Sequence, residues 1–388
     1  MKINLNKLNN VIFLIAYIFI TMAYMYTNVD IISPYVDIFN KIGLILLTSL
    51  FVIQFRKYNI KTLFIMVIVF ITLIISIYKI KSYYICQLLL ILLVSKNIDI
   101  NKFIKNIFFI QLFMFCTVIL FHMMGMTTDV IKYREDGSIR NSLGFSHPNR
   151  LGNYIFIMIL EYIYIRKAKL KLYNYLIIGL VLITTNYFSD SRATLYSMIV
   201  TLIIIYIYNI AGKRILTNKF SKIIIINSFL ILSILSFSLC YFYRNGNEMA
   251  ERINEVLSNR ILLMNRELEN KTIKPYGYEL NSIENETIVI DNAYGNIVIM
   301  YGWVINIFFL LLFTINFIEL YKRENYSMII VLFGYLIYSM FETHIFKVPF
   351  NPFLITFSQV IYQFEKNNQY LKGGKYEKNR NDNFSCIT

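Results

Sequence analysis

Runs of about 17 to 25 apolar residues recur along almost the whole of this chain, separated by short polar stretches rich in lysine and arginine. A segment that crosses a bilayer must satisfy its backbone N–H and C=O groups internally. Only α-helices or a closed barrel can therefore be built from such runs. A barrel would show short segments of alternating hydrophobicity, and these are absent. The fold class is all-α, a polytopic integral membrane protein. Composition agrees: of 388 residues 57% are hydrophobic and 16% charged, with a mean hydropathy of +0.55, against about a quarter charged in soluble domains. The first run, 11–26, has no small-residue cleavage site behind it and is expected to be a retained helix.

Hydropathy predicts about twelve transmembrane helices, over 11–26, 42–55, 62–78, 83–95, 107–126, 151–165, 173–188, 193–210, 223–243, 294–318, 326–345 and 348–362. Cytoplasmic loops carry excess lysine and arginine. With both termini in the cytoplasm, the clusters Arg56–Lys61, Lys96–Lys105, Arg166–Lys171 and Lys213–Lys222 all fall inside, and only Lys79 and Lys81 violate the pattern. Residues 1–362 then form a single membrane domain, with extracytoplasmic loops near 127–150 and 244–293. Residues 363–388 make a basic cytoplasmic tail. The expected location is the cytoplasmic (plasma) membrane. The net charge of +15 is explained by these loops, and no soluble domain exists to bind nucleic acid. The scattered cysteines have neither metal nor disulfide spacing, so no metal and no cofactor are expected.

Function is sought where polar groups break this pattern. Asn141-Ser-Leu-Gly-Phe-Ser-His-Pro-Asn-Arg150, with Arg140 before it, is a polar island ahead of the sixth span. Pro148 can open that helix, leaving free N–H groups toward the loop, a setting that favours an anion. A neutral His147 there could accept a proton, or could merely cap the turn. Arg192, two residues after Asp190, heads another span on the outer side, where topology does not ask for a cation. Its planar fork suits a phosphate or pyrophosphate.

In the long outer loop, Glu248–Lys271 reads as one amphipathic helix, with Ile253, Val256, Leu257, Ile261, Met264 and Leu268 on one stripe. Arg266 falls beside that stripe and Arg260 within it. A cation in such a stripe needs a partner, and a lipid phosphate would serve. Asp291 and Asn292 either cap the next helix or supply a carboxylate at the outer face. Glu342 and His344 sit near the outer end of the eleventh span. No Walker loop, dinucleotide glycine fingerprint, zinc-binding histidine pair or nucleophile elbow is present. Arginines, one well-placed histidine and a few carboxylates fit an anionic, lipid-linked substrate whose leaving group is stabilised without metal.

Asn141–Gly152 resembles the Gly-Phe-x-His-Pro-Asn-x-x-Gly segment of capsular and O-antigen polysaccharide polymerases (Wzy type). Ser189–Arg192 is similar to their Ser-Arg element. Asp291-Asn-x-Tyr294 with Tyr301-Gly302 is similar to the element that closes their long loop, and Arg266 and Gly277 match an Arg-x10-Gly spacing. The resemblance implies a glycosyltransferase that moves a growing glycan from undecaprenyl pyrophosphate to a lipid-linked repeat unit on the outer leaflet. It implies pyrophosphate contacts from Arg192, Arg260, Arg266, Arg150 and Arg140. His147 or Asp291 would deprotonate the acceptor, supported by Asn149, Asn292, Asp190 and His344. The implied partners are the undecaprenyl-pyrophosphate oligosaccharide, membrane lipids, a flippase and a chain-length regulator. Related ligases place a His-Asn pair where this chain has Asp291-Asn292, which leaves the base open. The rival readings are a polysaccharide ligase and, in another class, a flippase or transporter of lipid-linked oligosaccharide.

Overall fold

The computed structural model describes residues 5–55, 60–80, 83–133, 137–278 and 290–362. The basic tail expected over 363–388 lies outside them. The described residues are mostly helical: α1 Leu5–Met25, α2 Val36–Phe55, α3 Ile60–Ile80, α4 Tyr83–Val94, α5 Ile100–Met123, α6 Pro148–Ile165, α7 Leu172–Ser189 and α8 Arg192–Ala211. There follow α9 Arg214–Thr217, α10 Lys219–Ile226, α11 Ser228–Arg244, α12 Glu248–Val256, α13 Arg260–Asn270, α14 Ala293–Asn296, α15 Trp303–Lys322, α16 Tyr326–Tyr338 and α17 Thr356–Ile361. Among the described residues, six helices (α1, α2, α5, α7, α8, α15) are long and apolar enough to cross a bilayer, and the pair α10–α11, bent by 68°, passes the same test only when its two helices are taken together. Segments within α3, α4 and α16 are apolar but shorter.

Helix α6 is the centre of the bundle, with fourteen of its residues from Pro148 to Tyr164 buried. Lipid tails are as apolar as leucine, so close approach of small residues matters more here than exclusion of water. Two glycines provide it. A Cβ on Gly152 of α6 would lie 2.2 Å from Ser191 Oγ, and one on Gly334 of α16 would lie 2.7 Å from Thr201 Oγ1 of α8. Helix α8 is thereby gripped between α6 and α16. Phe156 of α6 stacks on Tyr338 of α16 at 3.9 Å, and Asn153 Oδ1 accepts the Tyr338 hydroxyl.

Three departures from the expected pattern shape one end of the bundle. A short antiparallel pair of strands, β1 Ile131–Tyr133 against β2 Ile139–Asn141, stands among the helices of the described residues. Each strand is only three residues long, too short to register in a search for spans. The amphipathic helix expected over Glu248–Lys271 is broken in two. Ser258 and Asn259 both take left-handed backbone (φ 56° and 63°), and the Asn254 side chain bridges the break, accepting from Leu262 N–H and donating to Asn259 Oδ1. Finally, α16 stops at Tyr338, short of the expected 345. The return over 348–362 is two 3-10 turns, each with a proline near its start (Pro349, Pro352), before α17. Proline has no N–H to continue a helix.

The break before α15 has its own cause. Gly302 has φ 93°, and a Cβ there would lie 2.3 Å from Pro275 O. The Lys274 and Pro275 carbonyls accept from Trp303 and Val304 N–H, meeting donors that a helix start leaves free. Gly277 (φ 69°) packs just as tightly on Met300 O, where a Cβ would stand at 2.0 Å. Its place is therefore explained by close backbone packing.

Candidate active site

The polar island is held where it is by the grip of α6 on α8. Because Gly152 has no side chain, the turn between α7 and α8 sits directly against the start of α6. Asp190 adopts left-handed backbone there (φ 42°), a conformation aspartate tolerates better than most residues. Arg192 Nε lies 3.3 Å from Asp190 Oδ1. On the other side the hairpin brings Arg140 in: its Nε donates to Ser189 O at 2.9 Å, and its Nη2 donates to Asn149 Oδ1.

His147 is the N-cap of α6, with Pro148 behind it, and its Nδ1 accepts the Asn149 N–H at 3.1 Å. The capping reading of this residue therefore holds. Burial, and then the cations Lys132, Arg140, Arg150 and Arg260, push its pKa down to about 4, so the ring is neutral near pH 7. With Nδ1 accepting, the proton sits on Nε2. His147 thus offers an N–H, and its capacity to accept a proton is already taken.

The break at Ser258–Asn259 places Arg260 at the first position of α13, with only 8% of the residue exposed. The partner that this cation needs is within the protein: Nη2 donates to Glu342 Oε1 at 3.1 Å and lies 3.9 Å from Asp291 Oδ2. Glu342 Oε1 also accepts from Asn149 Nδ2 at 3.1 Å, and Oε2 is 3.5 Å from His344 Nε2. Glu342 thus ties α6, α13 and the connection after α16 together. Burial raises the pKa of its carboxyl, while Arg260 works against that rise. Arg260 Nη1 is buried without a hydrogen-bond partner among the described residues.

These groups enclose a cavity of about 270 Å³ lined by Arg140, His147, Asn149, Asp190, Arg192, Arg260 and Asp291, together with Lys132, Tyr196, Val256, Leu257 and Phe341. Lys132 and Arg140 stand directly opposite each other across the hairpin, a like-charge placement that costs stability. Four cations face two carboxylates in the lining, Asp190 and Asp291, and Glu342 pairs with Arg260 from behind, so one positive charge remains in excess. Beside it, an apolar groove of about 610 Å³ runs between α5, α6 and α7. Its lining includes Leu143 and Phe188, close in sequence to Arg140 and Asp190.

Seven of the residues singled out in the sequence therefore converge, and four do not. Arg266 is half exposed and lies 3.7 Å from Glu267; six residues from Arg260 on a helix is a different face. Asn292 is a cap: its Oδ1 accepts from Gly295 N–H and its Nδ2 donates to Ser236 Oγ and Met340 O. His344 is buried behind Glu342, with Nε2 2.5 Å from Asn153 Nδ2. Arg150 turns away from the cavity, its guanidinium 4.7 Å above the Phe350 ring. Lys132 was missed in the sequence. Its signal was the short alternation Ile131-Lys132-Tyr133 and Ile139-Arg140-Asn141 around Gly137.

The fold and site define a polytopic all-α membrane protein with a cation-rich cavity at one end of its bundle. Comparison with protein-family models, with curated proteins and with solved structures finds no match to this chain.

Proposed function

We infer that this protein is a polysaccharide repeat-unit polymerase of the cytoplasmic membrane. It would have twelve spans, both termini in the cytoplasm and the cavity on the outer face. The reading rests on one observation: arginines from three separate segments, and a lysine, close around one cavity and outnumber the carboxylates there, Glu342 included. A diphosphate diester brings about two negative charges, one per phosphorus, and a preorganised set of cations is what stabilises such a leaving group. The neighbouring apolar groove suits the polyprenyl chain that carries it.

In this scheme a hydroxyl of the acceptor repeat unit attacks the anomeric carbon of the donor glycan. The bond from that carbon to the pyrophosphate oxygen breaks, and its electron pair leaves with undecaprenyl pyrophosphate. Arg140, Arg192 and Arg260 hold that group, and His147 donates its Nε2–H to it. Asp291 takes the hydroxyl proton, since the capping bond of His147 occupies its accepting nitrogen. No metal takes part in this scheme.

The test is direct. Purified protein in detergent, given defined undecaprenyl-pyrophosphate repeat units, should produce a ladder of lengthening glycans. Single transfers to a terminal acceptor would support a ligase. One observation favours transport of lipid-linked oligosaccharide. Glu161 lies fully buried within α6, and neither of its oxygens has a hydrogen-bond partner among the described residues. Buried ionisable groups inside spans mark many transport paths. Movement of a labelled lipid-linked unit across proteoliposomes, without elongation, would establish that reading.

A further inference from the structure

The sequence placed Arg150 with the other pyrophosphate ligands, yet it faces a different part of the molecule. It shares that place with a second cation. Lys347, in the connection after α16, lies 5.1 Å from the centre of the Tyr84 ring, and Arg150 lies across the same aromatic cluster, over Phe350. Lys347 Nζ also donates to Thr343 Oγ1 at 3.0 Å. Tyr84 stacks on Tyr24 of α1 at 5.0 Å, and Phe350 lies under Arg150. Both cations are half-buried. Among the described residues neither makes an ion pair.

Two cations gathered on one aromatic cluster, with no carboxylate bonded to either, are costly in a partly dry setting unless an anion joins them. The acid that acts most on both through space is Glu342. Its oxygens are already engaged by Arg260, Asn149 and His344. Burial, and then Arg150 beside it, push the Lys347 ammonium down to about 7, with Glu342 and Asp291 pulling the other way. An arriving anion would restore its full charge. Glu342 thus stands between two positive regions, the cavity on one side and this pair on the other.

We propose that Arg150, over Phe350, and Lys347, over Tyr84, form a second diphosphate site, which holds the headgroup of the acceptor lipid while the cavity holds that of the donor. The proposal rests on the polymerase reading: transfer between two molecules of one chemical class needs both headgroups held at once. The half-buried rings of Tyr84 and Tyr24 give the first sugar of the acceptor a face to stack on.

Native mass spectrometry of the detergent-purified protein with undecaprenyl pyrophosphate tests it. The wild type should bind two copies. Arg150→Gln/Lys347→Gln should bind one, with at least a tenfold loss in affinity for the second. Lys132→Gln/Arg192→Gln should also bind one, and the combined variant none. Inorganic pyrophosphate should displace both copies, whereas undecaprenol, which lacks phosphate, should not bind.

A wild type that binds one copy, or an Arg150→Gln/Lys347→Gln protein that still binds two, overturns the second site and leaves the cavity untouched. Equal binding of undecaprenol also overturns it, because recognition would then belong to the chain. A wild type that binds no copy would sink the polymerase reading itself. Should the double variant unfold early, Lys347→Gln alone, which disturbs only the Thr343 and Tyr84 contacts, carries the same test, with Arg150→Lys as the charge-preserving control.

Discussion

Gly152 and Ser191 approach so closely that a single added methyl group on the glycine would stand 2.2 Å from the serine hydroxyl oxygen and 2.6 Å from its Cβ. This contact seats the α7–α8 turn, and Arg192 with it, against the helix start that carries His147. Gly152→Ala should therefore destabilise the protein by about 1–3 kcal/mol through overpacking and lower transfer activity by displacing Arg192. Adding Ser191→Gly removes two of the three clashing atoms and should recover part of both losses. Thermal unfolding and polymer assays on the single and double variants check this; equal losses in both would contradict it.

Arg260 and Glu342 separate folding from function. Removing only the cation, as in Arg260→Met, leaves a buried carboxylate unpaired and should cost about 3–5 kcal/mol. Arg260→Met/Glu342→Gln, with no charge left to bury, should recover most of that stability while remaining inactive. Stability measured in detergent beside polymer yield tests the pair; recovery of activity in the double variant would remove Arg260 from the site.

Arg192 is more accessible, and its pairing with Asp190 contributes at most about 1 kcal/mol. Arg192→Ala should thus accumulate normally in the membrane. Loss of a charge-assisted contact to a bound anion costs about 2–5 kcal/mol, or roughly thirty- to several-thousand-fold in rate when it is felt in the transition state. Glycan chain length on gels reads the result, and full-length polymer at wild-type levels would count against the cavity.

His147 sets a pH dependence whose sign can be stated. Its folded pKa of about 4 lies below the value of about 6.5 expected unfolded. Between these the unfolded chain binds the extra proton, so the contribution is complete above about pH 6.5 and is lost as pH falls toward 4. His147→Asn keeps the cap but has no such titration. Its melting temperature should fall less than that of the wild type between pH 6.5 and 4, while its activity at pH 7 should drop because the Nε2–H is gone. Parallel pH–stability curves for the two proteins would disprove this account.

The facing pair Lys132 and Arg140 predicts a trade. Lys132→Thr removes the like-charge repulsion and should stabilise the hairpin by about 0.2–1 kcal/mol. It should also weaken binding of undecaprenyl pyrophosphate. A variant that is both less stable and equally tight-binding would show that the hairpin does not serve the anion.

Much of this was legible in the residues because hydropathy and the cost of a polar group in lipid are local quantities. The apolar runs foretell a helical membrane protein, and Arg140, His147, Asn149, Asp190, Arg192, Arg260 and Asp291 stand out against that background. Glu342 was noticed as an ionisable group at a helix end, though nothing local marks it as the hub that holds Asn149, Arg260 and His344 together.

Which of the arginines meet was a matter for tertiary structure. Arg140 and Arg150 flank one short motif, yet one enters the cavity and the other lies over Phe350. Arg260 and Arg266 share one helix, and only the first enters. Helix phase, the left-handed break at Ser258–Asn259 and the approach that Gly152 permits decide these directions. Each depends on contacts between segments far apart in the chain: sequence by itself sets what a residue costs in a membrane, and packing alone sets which way it points.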